Sequence, residues 1–182
     1  ELVRYKFDTR VALADYVLDD LISAGQSSES ALVQQAVALL SAWDRHANAE
    51  SVGAVLFATW ASAYVNPSVA AVPFSLAEPL TTPRGLNDPT AALAALEQAA
   101  AQLEQLRPLL GVGMDLPYGL AFRLRLGAYD LPASGADNFL GTFSTLTFET
   151  DQDSRFRAVS GDSFIALVEF SEPQRAQVLL TH

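Results

Sequence analysis

Apolar residues recur at three- and four-residue steps in the first stretch of the chain: Phe7, Val11, Ala14, Leu18 and Leu21. Asp8, Arg10, Asp15, Asp19 and Asp20 fall between them and form a wet face. This spacing predicts one amphipathic helix from Glu1 to Ala24. Gly25-Gln26-Ser27-Ser28 ends it and supplies a cap for the next helix. That second helix is expected over Glu29 to Ala42, burying Leu32, Val33, Ala36, Leu39, Leu40 and Trp43. A polar connection, Trp43 to Glu50, leads to a third helix over Ser51 to Tyr64. The third is apolar nearly all round (Val55, Leu56, Phe57, Trp60, Tyr64) and so is expected at the centre.

Between Asn66 and Pro89 the prolines at 67, 73, 79, 83 and 89 exclude long helices and central strands. Asp88-Pro89 is a helix start, a capping carboxylate followed by proline in the first turn. The helix it opens runs to about Leu106, with Leu93, Leu96, Ala100, Leu103 and Leu110 on one side and many alanines raising its propensity. The period then changes from helical to alternating. Leu120, Phe122, Leu124 and Leu126 alternate with Ala121, Arg123 and Arg125, as in a half-buried strand. Turns are expected at Asp130 to Asn138, Asp151 to Ser154 and Ser160 to Asp162, and strands at Phe139 to Glu149, Arg155 to Val159 and Gln177 to Thr181. Phe164 to Phe170 is continuously apolar, as for a strand covered on both faces. The organisation predicted is helical over 1–65, a Pro-rich connection over 66–87, a helix over 88–110 and a β-rich part over 118–182. Helices followed by antiparallel strands define an α+β class.

The chain has 182 residues, half of them hydrophobic, with 21 acidic and 11 basic side chains and a net charge of −10. Such a charge opposes binding to nucleic acid or to anionic membranes, and no Lys/Arg run interrupts it. Mean hydropathy is +0.19, at the apolar end of globular chains, as for a molecule that buries more surface than its own core needs. With no cysteine, disulfides, thiolate metal sites and a cysteine nucleophile are excluded. No membrane span and no signal peptide is read. A start at Glu1 without Met suggests a mature, processed or trimmed chain.

Candidate chemistry is sparse. The two histidines, His46 and His182, sit in no motif, and none of the phosphate-loop, zinc or nucleophile-elbow patterns occurs. Ser51, His46 and Asp44 could be drawn as a triad, but their close spacing lacks strand–turn–helix context. Asp151 and Asp153, with Asp162, could offer oxygens to calcium, yet the next position of that pattern is Arg155, a cation. Arg123 and Arg125 project from the same side of one strand and form either an anion site or a salt-bridged face. An N-terminal nucleophile needs Ser, Thr or Cys at its first position, where Glu1 stands here. No catalytic, cofactor-binding or metal-binding residue is assigned.

Several stretches, in colinear order, resemble the penicillin acylase family, which includes cephalosporin and acyl-homoserine-lactone acylases. They are Lys6-Phe7-Asp8-Thr9-Arg10 with Leu13 to Leu21, then Leu39-Leu40-Ser41-Ala42-Trp43-Asp44-Arg45 followed by Glu50-Ser51-Val52-Gly53-Ala54-Val55-Leu56-Phe57, which is the most diagnostic pair. Asp115 to Gly119, Asp130 to Gly135, Gly161 to Phe164 and Val178 to Thr181 continue the match, while Tyr118 and Ser134 depart from an expected Trp and Asn. The resemblance implies an N-terminal-nucleophile (αββα) hydrolase, and this chain a later part of its β-subunit. It further implies an amide hydrolase whose nucleophilic Ser, oxyanion Asn and pocket aromatics lie upstream of Glu1. The chain would then be scaffold, inactive alone, with Trp43, Phe57, Trp60, Phe122 and Phe164 as core. Its partners would be the α-chain and the earlier part of the β-chain, and its compartment periplasmic or secreted. The alternative expectation is a non-catalytic interaction domain or a calcium-binding extracellular module.

Overall fold

The computed structural model describes residues 2–64, 70–162, 164–170, 172–173 and 175–180. Four helices build the main core: α2 (Ala12–Gly25), α3 (Ala31–Ala42), α4 (Ala54–Tyr64) and α5 (Pro89–Glu104), after a short α1 (Leu2–Lys6). Each buries a stripe at helical spacing. In α2 it is Ala14, Val17, Leu18, Leu21 and Gly25, and in α5 Ala92, Leu96, Ala99, Ala100 and Leu103. Alanine on the α5 stripe lets neighbouring helices approach closely. In α4 seven of eleven residues are buried, which makes it the central helix. An aromatic ladder runs through it, Trp43–Phe57–Trp60–Tyr64, with successive ring centres 5.2, 5.2 and 5.3 Å apart. Trp60 is fully buried, and its indole N–H donates to the Ala92 carbonyl at 3.0 Å, fixing α4 to α5. Truncating a buried side chain of this kind to alanine costs about 3–5 kcal/mol.

Helix starts follow their caps. Asp88 accepts the Ala91 N–H at 3.0 Å, as its position before Pro89 predicts. The cap of α3 is Ser30, whose Oγ accepts from Val33, so that helix begins two residues later than expected.

The first helix is not continuous. Residues 7–11 leave helical geometry, and Phe7 is 44% exposed. Asp8 accepts the Arg10 N–H, and the backbone of residues 9–11 pairs instead with the connection after α3. Val11 N–H donates to Arg45 O (2.8 Å) and Ala47 N–H to Thr9 O (2.9 Å). Long-range pairing thus overrides local periodicity.

The second half is β-rich. A ribbon pairs β1 (Ala70–Val72) with β2 (Arg84–Leu86) inside the Pro-rich connection. After the short helices α6 (Arg107–Leu110) and α7 (Tyr118–Ala121) come β3 (Phe122–Leu126), β4 (Tyr129–Pro132), β5 (Leu146–Thr150) and β6 (Phe156–Gly161). They form a sheet of order β4-β3-β6-β5 in which β3 and β6 run parallel and the other pairs antiparallel. A last ribbon pairs β7 (Phe164–Glu169) with β8 (Arg175–Leu180).

Four sequence expectations change here. Asp130 to Asn138 is not all turn, because β4 occupies its first part, returned against β3 by a tight turn at Gly127. Phe139 to Glu149 is not one strand. Asp137 caps a 3-10 turn at Asn138–Leu140, and only residues from Leu146 onward join the sheet. Residues 160–161 belong to β6 and not to a turn. Phe164 to Phe170 is not covered on both faces, since Val168 is 56% and Phe170 90% exposed. Trp43, Phe57 and Trp60 are core as expected, and Phe122 packs against it half-buried, whereas the Phe164 side chain lies outside the described ones.

Candidate functional site

The connection from Trp43 to Gly53 is where the helical and β-rich parts meet. Its carbonyls accept main-chain donors from two distant segments: Gly135 N–H to Ala47 O (2.9 Å), Gly119 N–H to Ala49 O (2.7 Å) and Tyr118 N–H to Ser51 O (3.0 Å). The three residues of the conceivable triad lie here, but His46 and Asp44 bond each other through main-chain groups and Ser51 is engaged elsewhere. His46 Nδ1 is 2.8 Å from the Asp44 carbonyl, and its Nε2 is 3.7 Å from Asp8. Asp44 accepts the His46 backbone N–H at 3.0 Å. Ser51 Oγ accepts the Asn48 N–H at 3.3 Å. This is a turn-stabilising set with no nucleophile held against a base. Glu1 and His182 lie outside the described residues.

The sheet has two unlike faces. Register puts Arg123 opposite Arg157, and Arg125 opposite Asp130. Arg123 donates to Asp130 at 2.7 Å. Arg125 donates to Asp151 at 2.8 Å and to Asp153 at 2.5 Å, and reaches Asp130 as well. The guanidinium holds Asp153 down at about 2, and it lowers Asp151. Arg123, then Arg125, lowers Asp130. The same bonds, led by that to Asp153, raise Arg125. The paired arginines are therefore a salt-bridged face and no vacant anion site.

The calcium arrangement fails for the same reason. Asp151 and Asp153 surround a cation already, and Asp162 turns away to Lys6. Among the described residues no group of three His, Asp or Glu side chains could hold a metal ion.

The opposite face is apolar. Phe122, Leu124 and Leu126 share it, and register adds Phe156, Leu131 and Tyr129 opposite them. At its inner end Phe122 stacks on Tyr118 (4.2 Å) and Phe156 (4.8 Å) and meets Phe148 edge-on (4.8 Å). Burial lifts the Tyr118 hydroxyl far above its ordinary range, assisted by nearby Asp137, so it stays neutral. Between this aromatic cluster and α4, α5 and α6 opens a groove of about 950 Å³, walled by Val55, Ala58, Leu103 and Leu106 on the helical side. The alternation in 120–126 was legible as a half-buried strand. The continuation of its apolar side through Tyr129 and Leu131 was missed, because Asp130-Leu131-Pro132 reads as a turn.

The chain matches the penicillin amidase family model over residues 1–182 and belongs to that family of N-terminal-nucleophile hydrolases. Among its relatives are proteins named acyl-homoserine lactone acylase PvdQ. One from Pseudomonas fluorescens is 31% identical over 172 residues, covering 91% of this chain and 22% of the relative. Another from a second strain of that species is 28% identical over 175 residues, covering 94% and 22%. One from Pseudomonas putida is 32% identical over 176 residues, again covering 94% and 22%. The chain thus spans about a fifth of the length of the curated relatives it matches.

Proposed function

We propose that this chain is the scaffold portion of an acylase that hydrolyses a linear amide, of the penicillin, cephalosporin or acyl-homoserine-lactone type. The observation that carries the reading is the family match along all 182 residues, set beside relatives named as acyl-homoserine lactone acylases. In this reading the nucleophilic Ser, whose own amine is the base, and the oxyanion-stabilising Asn belong to the remainder of the protein. His46, Ser51 and Asp44 are engaged in turn geometry, which supports a chain inactive by itself. No helix among the described residues is long and apolar enough to cross a membrane. The periplasm or the exterior is the compartment the family resemblance implies.

The test is amide hydrolysis by the full-length gene product, assayed on acyl-homoserine lactones of several chain lengths and on penicillin G, beside the 182-residue chain alone. Turnover by the full-length protein and none by the chain is expected. Turnover by the chain alone, or none by the full-length protein on any of these amides, overturns the reading.

A further inference from the structure

We propose that the apolar face of the β4-β3-β6-β5 sheet, together with the groove beneath it, seats the remainder of the parent acylase polypeptide. This rests on the preceding reading and adds where the rest of the protein docks. The sheet itself supplies the asymmetry. Its charged face is complete, since Arg123 and Arg125 and their carboxylates satisfy one another. Its apolar face is not. Exposure rises from the groove outward, with Phe156 at 37%, Leu124 at 39%, Leu131 at 55%, Leu126 at 70% and Tyr129 at 72%. Side chains on one face of two paired strands form a continuous surface. Contiguous apolar surface of this kind marks an interaction site.

Two observations choose the occupant. First, the relatives place roughly four fifths of their length outside the matched region, so a covering polypeptide of sufficient size belongs to the same protein. Second, the surface outruns the groove. A single apolar ligand could fill the space between Phe122 and α4, but Leu126, Tyr129 and Leu131 lie beyond it on an open sheet. Asp137, Asp153 and Arg155 stand among the groove's lining residues and supply polar groups around an apolar centre, as at protein interfaces.

The test uses the full-length acylase. This chain has no cysteine, so Leu126→Cys on the sheet face, Phe139→Cys in the lining of the groove and, as an outside reference, Leu80→Cys each introduce a thiol that peptide mapping can follow. Leu80 is 97% exposed on the Pro-rich connection. Maleimide labelling of native Leu126→Cys and Phe139→Cys is expected to be at least roughly tenfold slower than that of Leu80→Cys, and equal to it in denaturant. Hydroxyl-radical footprinting of the unsubstituted protein gives the same reading without any replacement: Tyr129 and Leu131 protected, Leu80 oxidised. Labelling of Leu126→Cys as fast as the reference overturns the proposal. Protection that disappears on dilution assigns the face to a second copy and also overturns it. Protection that appears only with added long-chain fatty acid assigns the face to an acyl ligand and overturns the proposal as well. Accessibility is read independently of turnover, so failure here and failure of amide hydrolysis are separate results.

Discussion

Replacing Gly135 with alanine probes the joint between the helical and β-rich parts. Gly135 has φ +105°, a conformation L-residues rarely adopt. Its N–H donates to Ala47 O at 2.9 Å, and the next N–H, of Ala136, donates to Ser144 O at 3.2 Å. The backbone is therefore held on both sides and has little freedom to move away. A Cβ at this position would sit 2.5 Å from the Ser144 carbonyl oxygen, where ordinary contact begins near 3.4 Å. The obstacle is main chain, so no rotamer change relieves it. The backbone conformation costs about 1–3 kcal/mol, and the overpacking adds about 1–3 kcal/mol. Gly111→Ala separates the two contributions. Gly111 also has positive φ (+75°), but an added Cβ meets nothing within 4 Å, so its cost is the left-handed penalty of about 1–2 kcal/mol alone. At roughly 2–4 °C per kcal/mol for a cooperative unit of this size, crowding should make Gly135→Ala melt about 2–12 °C below Gly111→Ala in scanning calorimetry. If the two variants melt together, the close approach at Ser144 is not a constraint and the account of the joint is wrong.

Glu104 provides a pH test. It accepts from Arg107 at 2.5 and 2.7 Å and from the Met114 N–H at 3.0 Å, and these bonds, Arg107 first, lower its pKa from 4.5 to about 2. A depressed carboxylate stabilises fully above its unfolded value and loses that contribution as pH falls through the folded one. The melting difference between wild type and Glu104→Gln should therefore hold steady down to about pH 4.5 and shrink from there toward pH 2. A difference that grows on acidification would contradict the assignment. Arg125→Gln removes the cation shared by Asp130, Asp151 and Asp153. The Asp153 carboxyl should then titrate closer to its ordinary range by NMR. The loss in melting temperature should be larger at low salt than at 1 M, where the Debye length is only about 3 Å. Equal losses at both ionic strengths would show that the carboxylate cluster contributes nothing electrostatic.

The helical half was legible because its signals are local. Leu96, Ala99, Ala100 and Leu103 keep helical spacing, Asp88-Pro89 opens α5 by chemistry contained in two residues, and the apolar circumference of α4 placed it at the centre. Legibility failed where partners lie far apart in sequence. Residues 7–11 carry helical periodicity, but the main chain of residues 9–11 pairs with residues 45–47. Tyr129 to Pro132 has turn-forming residues, yet β3 captures it as a strand. Asp137 and Gly141 break the apolar stretch after Phe139 by capping a short turn. For the site, the sequence offered the paired arginines as either an anion site or a salt-bridged face. The choice needed Asp130, Asp151 and Asp153 in space, brought there by a sheet whose β3–β6 pairing crosses more than 30 residues. Family resemblance recovered the class of protein because it reads the order of motifs and does not depend on those contacts.

The connection from Trp43 to Gly53 has an evolutionary consequence. Its bonds to residues 9–11, 118–119 and 135 are almost all main chain to main chain. Such bonds ignore side-chain identity, so the exposed positions Asp44, Glu50 and Val52, between the buried Trp43, Ala47, Ser51 and Gly53, can be exchanged at little cost. They are sensitive to counting, however, since one inserted or deleted residue would shift every donor and acceptor out of step at once. Homologous chains should therefore drift at those exposed positions while keeping the length of the stretch constant. They should place their insertions at the exposed tip around Leu76 to Leu80, where no such counting is enforced.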